Sequence, residues 1–285
     1  MKSIWMRVLP VMLGVLSALV GTAALADSSS EQLHYRASYR GFFSAGVDMS
    51  IADITLSTRL PRAQAPYLET EMGVTSAAYA HVEAFYPIRY RFRSWYLRDR
   101  SASLVSEYFE RNNPDKLKHR LIYLDDPGED FVAHDLLQEG QLDLPALLTG
   151  DYRPPSTEQA PPARFDRLGL LQHVRGLPLA VGMMVDAPVT NGRAMLQYRI
   201  KVEARETIEV AGEQWQALKL RFDALKQDEH GNEQHSHRPV YIWLSDDEQH
   251  LPLRAVSRQT LGRFRIELLP AQSPAPATHL VSTDE

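Results

Sequence analysis

Strict alternation of apolar and polar side chains is the feature of this sequence that most limits its fold. The nine residues from Leu196 to Ala204 alternate without a break, and shorter runs at 88–93 and 264–268 do the same. Successive side chains of a β-strand point to opposite faces of the sheet, so each run gives a strand one buried face and one solvated face. The pattern therefore predicts a mostly β protein.

Further short apolar segments predict the remaining strands. They cover residues 35–39, 47–56, 68–75, 104–109, 121–124, 218–222, 240–244 and 253–256. In the second segment the alternation shifts by one residue near Ala52, which indicates a β-bulge. Turn-forming residues separate the segments, as at Ala211-Gly212 and Gly231-Asn232. Many short strands joined by tight turns predict an antiparallel curved sheet or an incomplete β-barrel.

One segment has a spacing of apolar residues closer to that of a helix. It extends from Asp166 to Val174, where Asp166 suits the N-cap position and Gly176 with Pro178 suits the end of the helix. A short apolar helix in a β protein needs a surface to cover. We therefore expect one short helix that covers the open side of the curved sheet.

The N-terminus has the pattern of a cleavable secretory signal. Lys2 and Arg7 supply positive charge, residues 8–20 are mostly apolar, and small residues end at Ala26. The apolar run is shorter than the roughly 20 residues that a membrane-spanning helix needs. We expect a signal peptide over residues 1–26, export to the periplasm of a Gram-negative bacterium, and no transmembrane segment in the mature chain.

The rest of the chain is expected to form one domain. Residues 27–269 show no internal repeat and no change of composition that would mark a boundary. Within them, the proline-rich stretch at 151–163 indicates an exposed loop, and residues 270–285 indicate a disordered tail.

Composition excludes several classes of chemistry. The chain has no cysteine, which excludes disulfides, thiol catalysis, cysteine-ligated metal and a lipid attached through cysteine. It carries 31 Lys+Arg and 36 Asp+Glu, and this acidic balance argues against nucleic acid as a partner. No polybasic tail or basic amphipathic helix indicates binding to an anionic lipid surface.

Motifs that would identify an enzyme or a cofactor are absent from the sequence. There is no nucleophile elbow, no phosphate-binding loop, no dinucleotide fingerprint and no zinc-protease motif. His230, His235 and His237 could ligate zinc or copper, but they lie where a hairpin should turn, and we favour a surface turn. The acidic pairs at 125–126 and 246–248 also lie in expected turns. We expect no metal, no cofactor and no catalytic residue.

Three arginines are the candidate ligand-binding residues. Arg89, Arg91 and Arg93 alternate with apolar residues, so a strand would place their guanidinium groups on one face, with Arg98 and Arg100 close behind. Guanidinium groups suit phosphate and carboxylate ligands, such as a lipid head group. The alternative is a solvated face on which these arginines pair with acids of the neighbouring strand.

Several segments together resemble one bacterial family. They are Tyr39 to Gly41, Ala45-Gly46, Phe165 to Leu168, Arg175 to Leu179, Glu206 to Phe222, Pro239 to Asp247, Leu251 to Leu253 and Leu261 to Leu268. The sequence is similar here to the family called domain of unknown function 3108, over nearly all of residues 33–269. The resemblance implies an exported, β-rich envelope protein, and it offers no catalytic residues to transfer.

The function that we expect from these features is non-catalytic binding. A curved sheet covered by a helix can enclose an apolar concavity, which predicts a periplasmic binding or carrier protein for a lipid or another amphiphile. An envelope assembly or interaction protein without a small ligand is the alternative, and a hydrolase of an envelope polymer is a third. An unfilled apolar interior would distinguish the carrier from the others.

Overall fold

A computed structural model describes most of the expected domain. The described residues are 30–61, 65–113, 116–124, 130–137, 163–227 and 232–270. The expected signal peptide at 1–26, residues 151–162 of the proline-rich loop and residues 271–285 of the tail lie outside these ranges. Among the described residues, no helix has the length and apolar character to cross a membrane.

Fourteen strands account for most of this structure. They are β1 (Ser30–Gly41), β2 (Met49–Arg59), β3 (Tyr67–Thr75), β4 (Arg89–Leu97), β5 (Ser103–Asn113), β6 (Lys116–Tyr123), β7 (Val132–Asp135), β8 (Met184–Thr190), β9 (Met195–Val210), β10 (Glu213–Gln227), β11 (Glu233–His235), β12 (Val240–Ser245), β13 (Pro252–Gln259) and β14 (Gly262–Leu268). A 3₁₀ turn at Phe42–Ser44 and the single-turn helix α1 (Ala80–Glu83) lie in two of the connections, and helix α2 (Arg167–Arg175) precedes β8.

The strands form one large antiparallel sheet. Its order is β7-β6-β5-β4-β3-β2-β1-β14-β13-β12-β10-β9-β8, and β11 pairs with β10. Strands β1–β7 therefore follow one another across half of the sheet, and pairing of β1 with β14 joins them to the strands of the second half. Within the described residues, the sheet ends at β7 and β8 and does not close into a barrel. The prediction of a mostly β, antiparallel, incompletely closed sheet is confirmed.

The expected helix is also confirmed. Asp166 caps α2 because its side chain accepts hydrogen bonds from the backbone N–H groups of Leu168 (2.8 Å) and Gly169 (3.1 Å). The helix packs very closely on the sheet at Gly169, where an added Cβ would lie 1.9 Å from Ser103 Oγ. A glycine is unfavourable inside a helix, and here close approach to β5 explains it.

The segment that leads into α2 bridges one end of the opening in the sheet. Phe165 donates its N–H to the carbonyl of Pro188 on β8 at 3.0 Å, and Thr190 donates to the carbonyl of Phe165 at 2.9 Å. On the other side, Ser103 at the start of β5 donates to the carbonyl of Arg164 at 2.9 Å. Helix α2 therefore begins between the two halves of the sheet and covers this end.

The inward side chains of the sheet pack against one another and against α2. Tyr35, Ile51, Leu220 and Ile242 are 0% exposed, and Leu171 of α2 is equally buried in the same core. A side chain that lined a void of water size would keep some accessible surface. The interior around these residues is therefore filled with protein.

The structure contains the β-bulge and the β9–β10 turn that the sequence pattern predicts, and it also contains strands that the pattern does not predict. The register pairs Ala37 with Ala52 and Ser38 with Ser50, so Ile51 is the extra residue of a β-bulge next to Ala52, as predicted. Ala211 and Gly212 have φ of 58° and 82° and turn β9 into β10. The short strands β7, β8 and β11 were not among the predicted strands.

Candidate functional site

The three candidate arginines lie on the outer face of β4, and each lies beside an acid. Arg89 Nη1 donates to Glu83 Oε1 at 2.8 Å, and Arg91 Nη2 lies 3.7 Å from Glu107 Oε1 on the adjacent strand β5. Arg93 donates to the same Glu107 carboxylate. The geometry corresponds to the alternative in which these arginines pair with neighbouring acids. Ligand binding by the three arginines stays a prediction.

Glu107 is the centre of this charge cluster. Its side chain is almost fully buried, and His119 Nε2 lies 2.6 Å from Oε1. Burial raises the pKa of the Glu107 carboxyl, but the hydrogen bonds from Arg93 and His119 outweigh it, so the net pKa is lowered. The carboxylate and its cationic neighbours therefore neutralise one another within the protein.

The described histidines of the candidate metal cluster lie in and beside the short strand β11. His235 lies on the short strand β11 with Nδ1 3.4 Å from Asp223 Oδ1, and His237 is half-buried. Burial, then the charges of Arg167 and Lys226, lower the pKa of His237. His230, Asp125 and Asp126 lie outside the described residues. Within the described ranges, no group of three His, Cys, Asp or Glu could hold a metal ion.

A cleft at the α2 end of the sheet is the candidate functional site. Its volume is about 940 Å³, and it opens to solvent. Three segments form its walls: the β4–β5 turn, the end of α2 with the residues after it, and the β12–β13 turn. The lining residues are Arg98, Asp99, Arg100, Arg175, Gly176, Leu177, Pro178, Leu179, Asp246, Asp247, Glu248 and His250.

Arg175 fixes two of these walls to each other. It is 5% exposed at the last turn of α2, and its Nε donates to the carbonyls of Gln249 (3.3 Å) and His250 (3.2 Å) in the β12–β13 turn. Its Nη1 and Nη2 reach the Glu31 carboxylate at the start of β1, at 3.3 and 3.2 Å. Because these bonds use both sides of the guanidinium group, Arg175 ties helix, strand and turn together.

The β12–β13 turn is built by its own polar side chains. The Asp247 carboxylate accepts from the N–H groups of Gln249 (3.0 Å) and His250 (3.1 Å), and the Ser245 hydroxyl accepts from Leu251 N–H at 2.7 Å. His250 has φ of 47°, and its Nδ1 lies 3.0 Å from the carbonyl of Arg175. Asp246 is paired with Arg205 of β9. The carboxylates of Asp246 and Asp247 are therefore engaged in holding the turn.

Arg100 combines a strained backbone with a partly buried, unpaired guanidinium group in the described structure. It has φ of 61°, and its carbonyl lies 2.8 Å from His173 Nδ1 on α2, which holds this strained backbone in place. Its side chain is half-buried, and among the described residues its guanidinium group makes no hydrogen bond or ion pair. Burial, then the neighbouring Arg175, lower the pKa of Arg100. An anion beside this group would relieve both effects.

The rest of the cleft combines charge with an apolar strip. Arg98 is exposed at the rim, with no ion pair from its side chain in the described part of the chain. Leu177, Pro178 and Leu179 follow α2 in the chain and also line the cleft, and the two leucines are half-buried. The arrangement can hold a molecule that has an anionic group near Arg100 and an apolar part along 177–179.

Comparison with known families concerns the second half of the chain. The family described as "Protein of unknown function (DUF3108)" matches residues 145–269. This match supports membership in the DUF3108 family. The DUF3108 match is narrower than the expected range of 33–269, but it includes α2 and β8–β14. Both Arg175 to Leu179 and Asp246 to His250 lie inside it and line the cleft. No curated protein matches the sequence.

A solved structure is similar to this protein in fold. The crystal structure of a beta-barrel-like protein of domain of unknown function DUF1849 from Brucella abortus is similar, with a TM-score of 0.50 and 9% sequence identity. The likeness covers 86% of this chain and 98% of that chain. At this identity the likeness concerns the fold alone.

Sequence patterns indicate the cleft only indirectly. The family resemblance includes Arg175 to Leu179 and Ser245 to Asp247, but the end of a helix and a turn explain these two segments without a ligand. Arg98 and Arg100 belong to the third segment, which follows the β4 arginines in the sequence. No pattern in the sequence shows that these three segments meet at the end of α2.

Proposed function

We propose that this protein is a non-catalytic binding protein for an anionic amphiphile and that the cleft at the end of α2 is its binding site. The observation that carries the proposal is Arg100. A half-buried guanidinium group that makes no ion pair within the described residues, next to the buried pair of Arg175 and Glu31, lies in the wall of an open cleft.

An anionic group is the ligand chemistry that suits Arg100. The fork of a guanidinium group matches the two oxygens of a carboxylate or phosphate, and a charge-assisted hydrogen bond contributes about 1.5–3 kcal/mol. Arg98 at the rim adds a second cation. Three of the four acids of the cleft already have partners: Asp246 pairs with Arg205, Asp247 accepts backbone hydrogen bonds, and Asp99 accepts hydrogen bonds from Ser101. The fourth, Glu248, is exposed to solvent.

The apolar strip is the reason to propose an amphiphile. Leu177, Pro178 and Leu179 line the same cleft as the arginines, and a hydrocarbon segment that packed against them would remove apolar surface from water. A volume of about 940 Å³ is at the upper end of the range for small-molecule sites. The filled interior argues against the carrier that was expected to hold its ligand inside the sheet. The proposal therefore depends on the cleft at the covered end and not on an internal cavity.

The compartment is part of the proposal. The charged start, the apolar run at 8–20 and the small residues before Asp27 support export, so the ligand would be an amphiphilic component of a Gram-negative envelope. Carriage of such a molecule through the periplasm would need a site that is open enough for exchange, and the cleft is open to solvent.

Native mass spectrometry of protein purified from the producing cells tests the proposal. We expect a reproducible non-covalent adduct that extracts into organic solvent and fragments as a phosphate- or carboxylate-bearing lipid. A protein that carries no adduct, and gains none when an extract of the envelope is added, would contradict the proposal.

A further inference from the structure

A second surface lies at the opposite end of β1, far from the cleft. Glu31 at the start of β1 contacts α2, and the strand ends at Gly41, about 35 Å away at the rise of an extended chain. The β1–β2 connection that follows exposes Phe42 (82%), Phe43 (39%) and Val47 (66%) to solvent. The two phenylalanine rings pack edge to face with their centroids 5.5 Å apart, so they form one apolar projection.

The β3–β4 connection adds a fourth apolar side chain at the same end. Helix α1 lies in this connection, and His81 Nε2 lies 3.0 Å from the carbonyl of Ser50 at the start of β2. Two residues after α1, Phe85 is 83% exposed. Two neighbouring loops thus present large apolar side chains to water, an arrangement that needs an explanation.

Arginines from three strands surround the β1–β2 connection on the outer face. The register places Arg40 of β1 opposite Arg263 of β14, and Arg263 opposite Arg258 of β13. Arg265 lies two residues further along β14. Phe42 N–H donates to the carbonyl of Leu261 at 3.3 Å, which fixes the projection beside these arginines.

The acids nearby cannot neutralise this set. Asp48 lies within 3.8 Å of Arg40, 3.5 Å of Arg263 and 3.2 Å of Arg265, so a single carboxylate serves three guanidinium groups. Glu267 also lies near Arg265, at 3.4 Å, but it already pairs with Arg254. Arg258 is exposed and has no ion pair within the described residues. The surface is therefore cationic although the chain as a whole is acidic.

We propose that this surface, formed by Phe42, Phe43, Val47 and Phe85 with Arg40, Arg258, Arg263 and Arg265, docks on an anionic phospholipid bilayer. Phenylalanine side chains enter the region between head groups and acyl chains, and arginines at the rim bind the lipid phosphates. Each basic residue near an anionic leaflet strengthens such binding. The projecting loops and the surplus of arginine suit a lipid surface, since an acidic protein partner would not require the apolar projection.

Binding of the purified protein to lipid vesicles tests the proposed docking. Mass spectrometry of the N-terminus first shows which residues the purified protein begins with. The probes are vesicles of phosphatidylcholine mixed with phosphatidylglycerol, and vesicles of phosphatidylcholine alone. We expect sedimentation with the anionic vesicles only. The double variant Arg40→Gln/Arg258→Gln should lose about fivefold in partition coefficient per charge. The variant Phe42→Ser should lose about tenfold. Arg193→Gln and Met184→Ser, which change exposed residues elsewhere, should bind as the unmodified protein does.

The absence of native cysteine allows a direct measurement of insertion. The variant Val47→Cys, labelled with an environment-sensitive dye, should shift the dye emission to shorter wavelength on anionic vesicles, whereas the labelled control Met184→Cys should not. Failure to bind anionic vesicles, equal loss in the control variants, or a label at residue 47 that still reports water on the vesicle would each overturn the proposal. None of these variants changes a cleft residue, so the result is independent of ligand binding there.

Discussion

Replacing Arg175 by alanine tests whether one buried guanidinium group holds the end of α2 to the sheet. The variant removes the hydrogen bonds to the Glu31 carboxylate and to the carbonyls of Gln249 and His250. Glu31 is then left as a largely buried carboxylate without its partner, since its side chain is 15% exposed. The α2 end of the sheet, and with it the wall of the cleft, should be the part of the fold that loosens.

The expected loss follows from the burial of this pair. Removing one partner of a buried ion pair costs about 3–5 kcal/mol, and the partial exposure of Glu31 places the value near the lower end, at about 3 kcal/mol. For a domain of this size, this corresponds to a decrease in Tm of roughly 6–12 °C. The loss is a large fraction of a total stability of about 5–15 kcal/mol.

Urea unfolding followed by circular dichroism measures the effect. Arg193→Ala is the matched control, because Arg193 is exposed in the β8–β9 turn, and its free energy of unfolding should change by less than about 0.5 kcal/mol. Adding Glu31→Gln to Arg175→Ala should cost less than the sum of the two single changes, by about 1–2 kcal/mol. A loss below about 1 kcal/mol for Arg175→Ala, or additive single changes, would refute the reasoning.

Two buried carboxyls should respond to acid in opposite directions. Burial raises the pKa of Asp166 despite its hydrogen bond from Ser94, so the folded protein binds a proton at this site more readily than the unfolded chain. Relative to Asp166→Asn, the free energy of unfolding of the unmodified protein should increase as pH falls through the raised pKa. The increase should stop below the ordinary pKa of an aspartate, near 4. The net pKa of Glu107 is lowered, so its ion pairs stabilise the fold above the ordinary pKa of a glutamate, and this contribution is lost as pH falls through the lowered pKa. The variant Glu107→Gln should therefore lose about 2–4 kcal/mol of stability at neutral pH and progressively less in acid. Urea unfolding across pH 3–8 checks both, and a parallel response of the two differences would contradict the assignments.

Local pattern was sufficient for most of the fold. Side-chain alternation places β4, β9 and β14, because a half-buried strand requires it. The capping aspartate and the glycine after Arg175 identify α2 for similar local reasons. The strands that escaped prediction carry too little pattern. β7 and β11 have only four and three residues, and β8 contains Pro188, which weakens a strand prediction.

The candidate sites depend on contacts that no local pattern reports. Arg175 meets Glu31 across 144 positions of sequence, and Asp48 meets Arg265 across 217. The arginines of β4 were visible as a stripe, but the acid that pairs with two of them lies on β5. The register of the sheet and the packing of α2 decide which arginines lack an acidic partner. Arg100 could therefore be recognised only in the assembled fold.

The measurement that tests the central claim most directly is a side-by-side native mass spectrum of the unmodified protein, Arg100→Gln and the control Arg193→Gln, each purified from the same cells. The account predicts that an anionic amphiphile is bound to the unmodified protein and to the control. The bound fraction of Arg100→Gln should be lower, by the amount expected for about 10- to 100-fold weaker binding. Equal occupancy of all three proteins would contradict the assignment of the cleft.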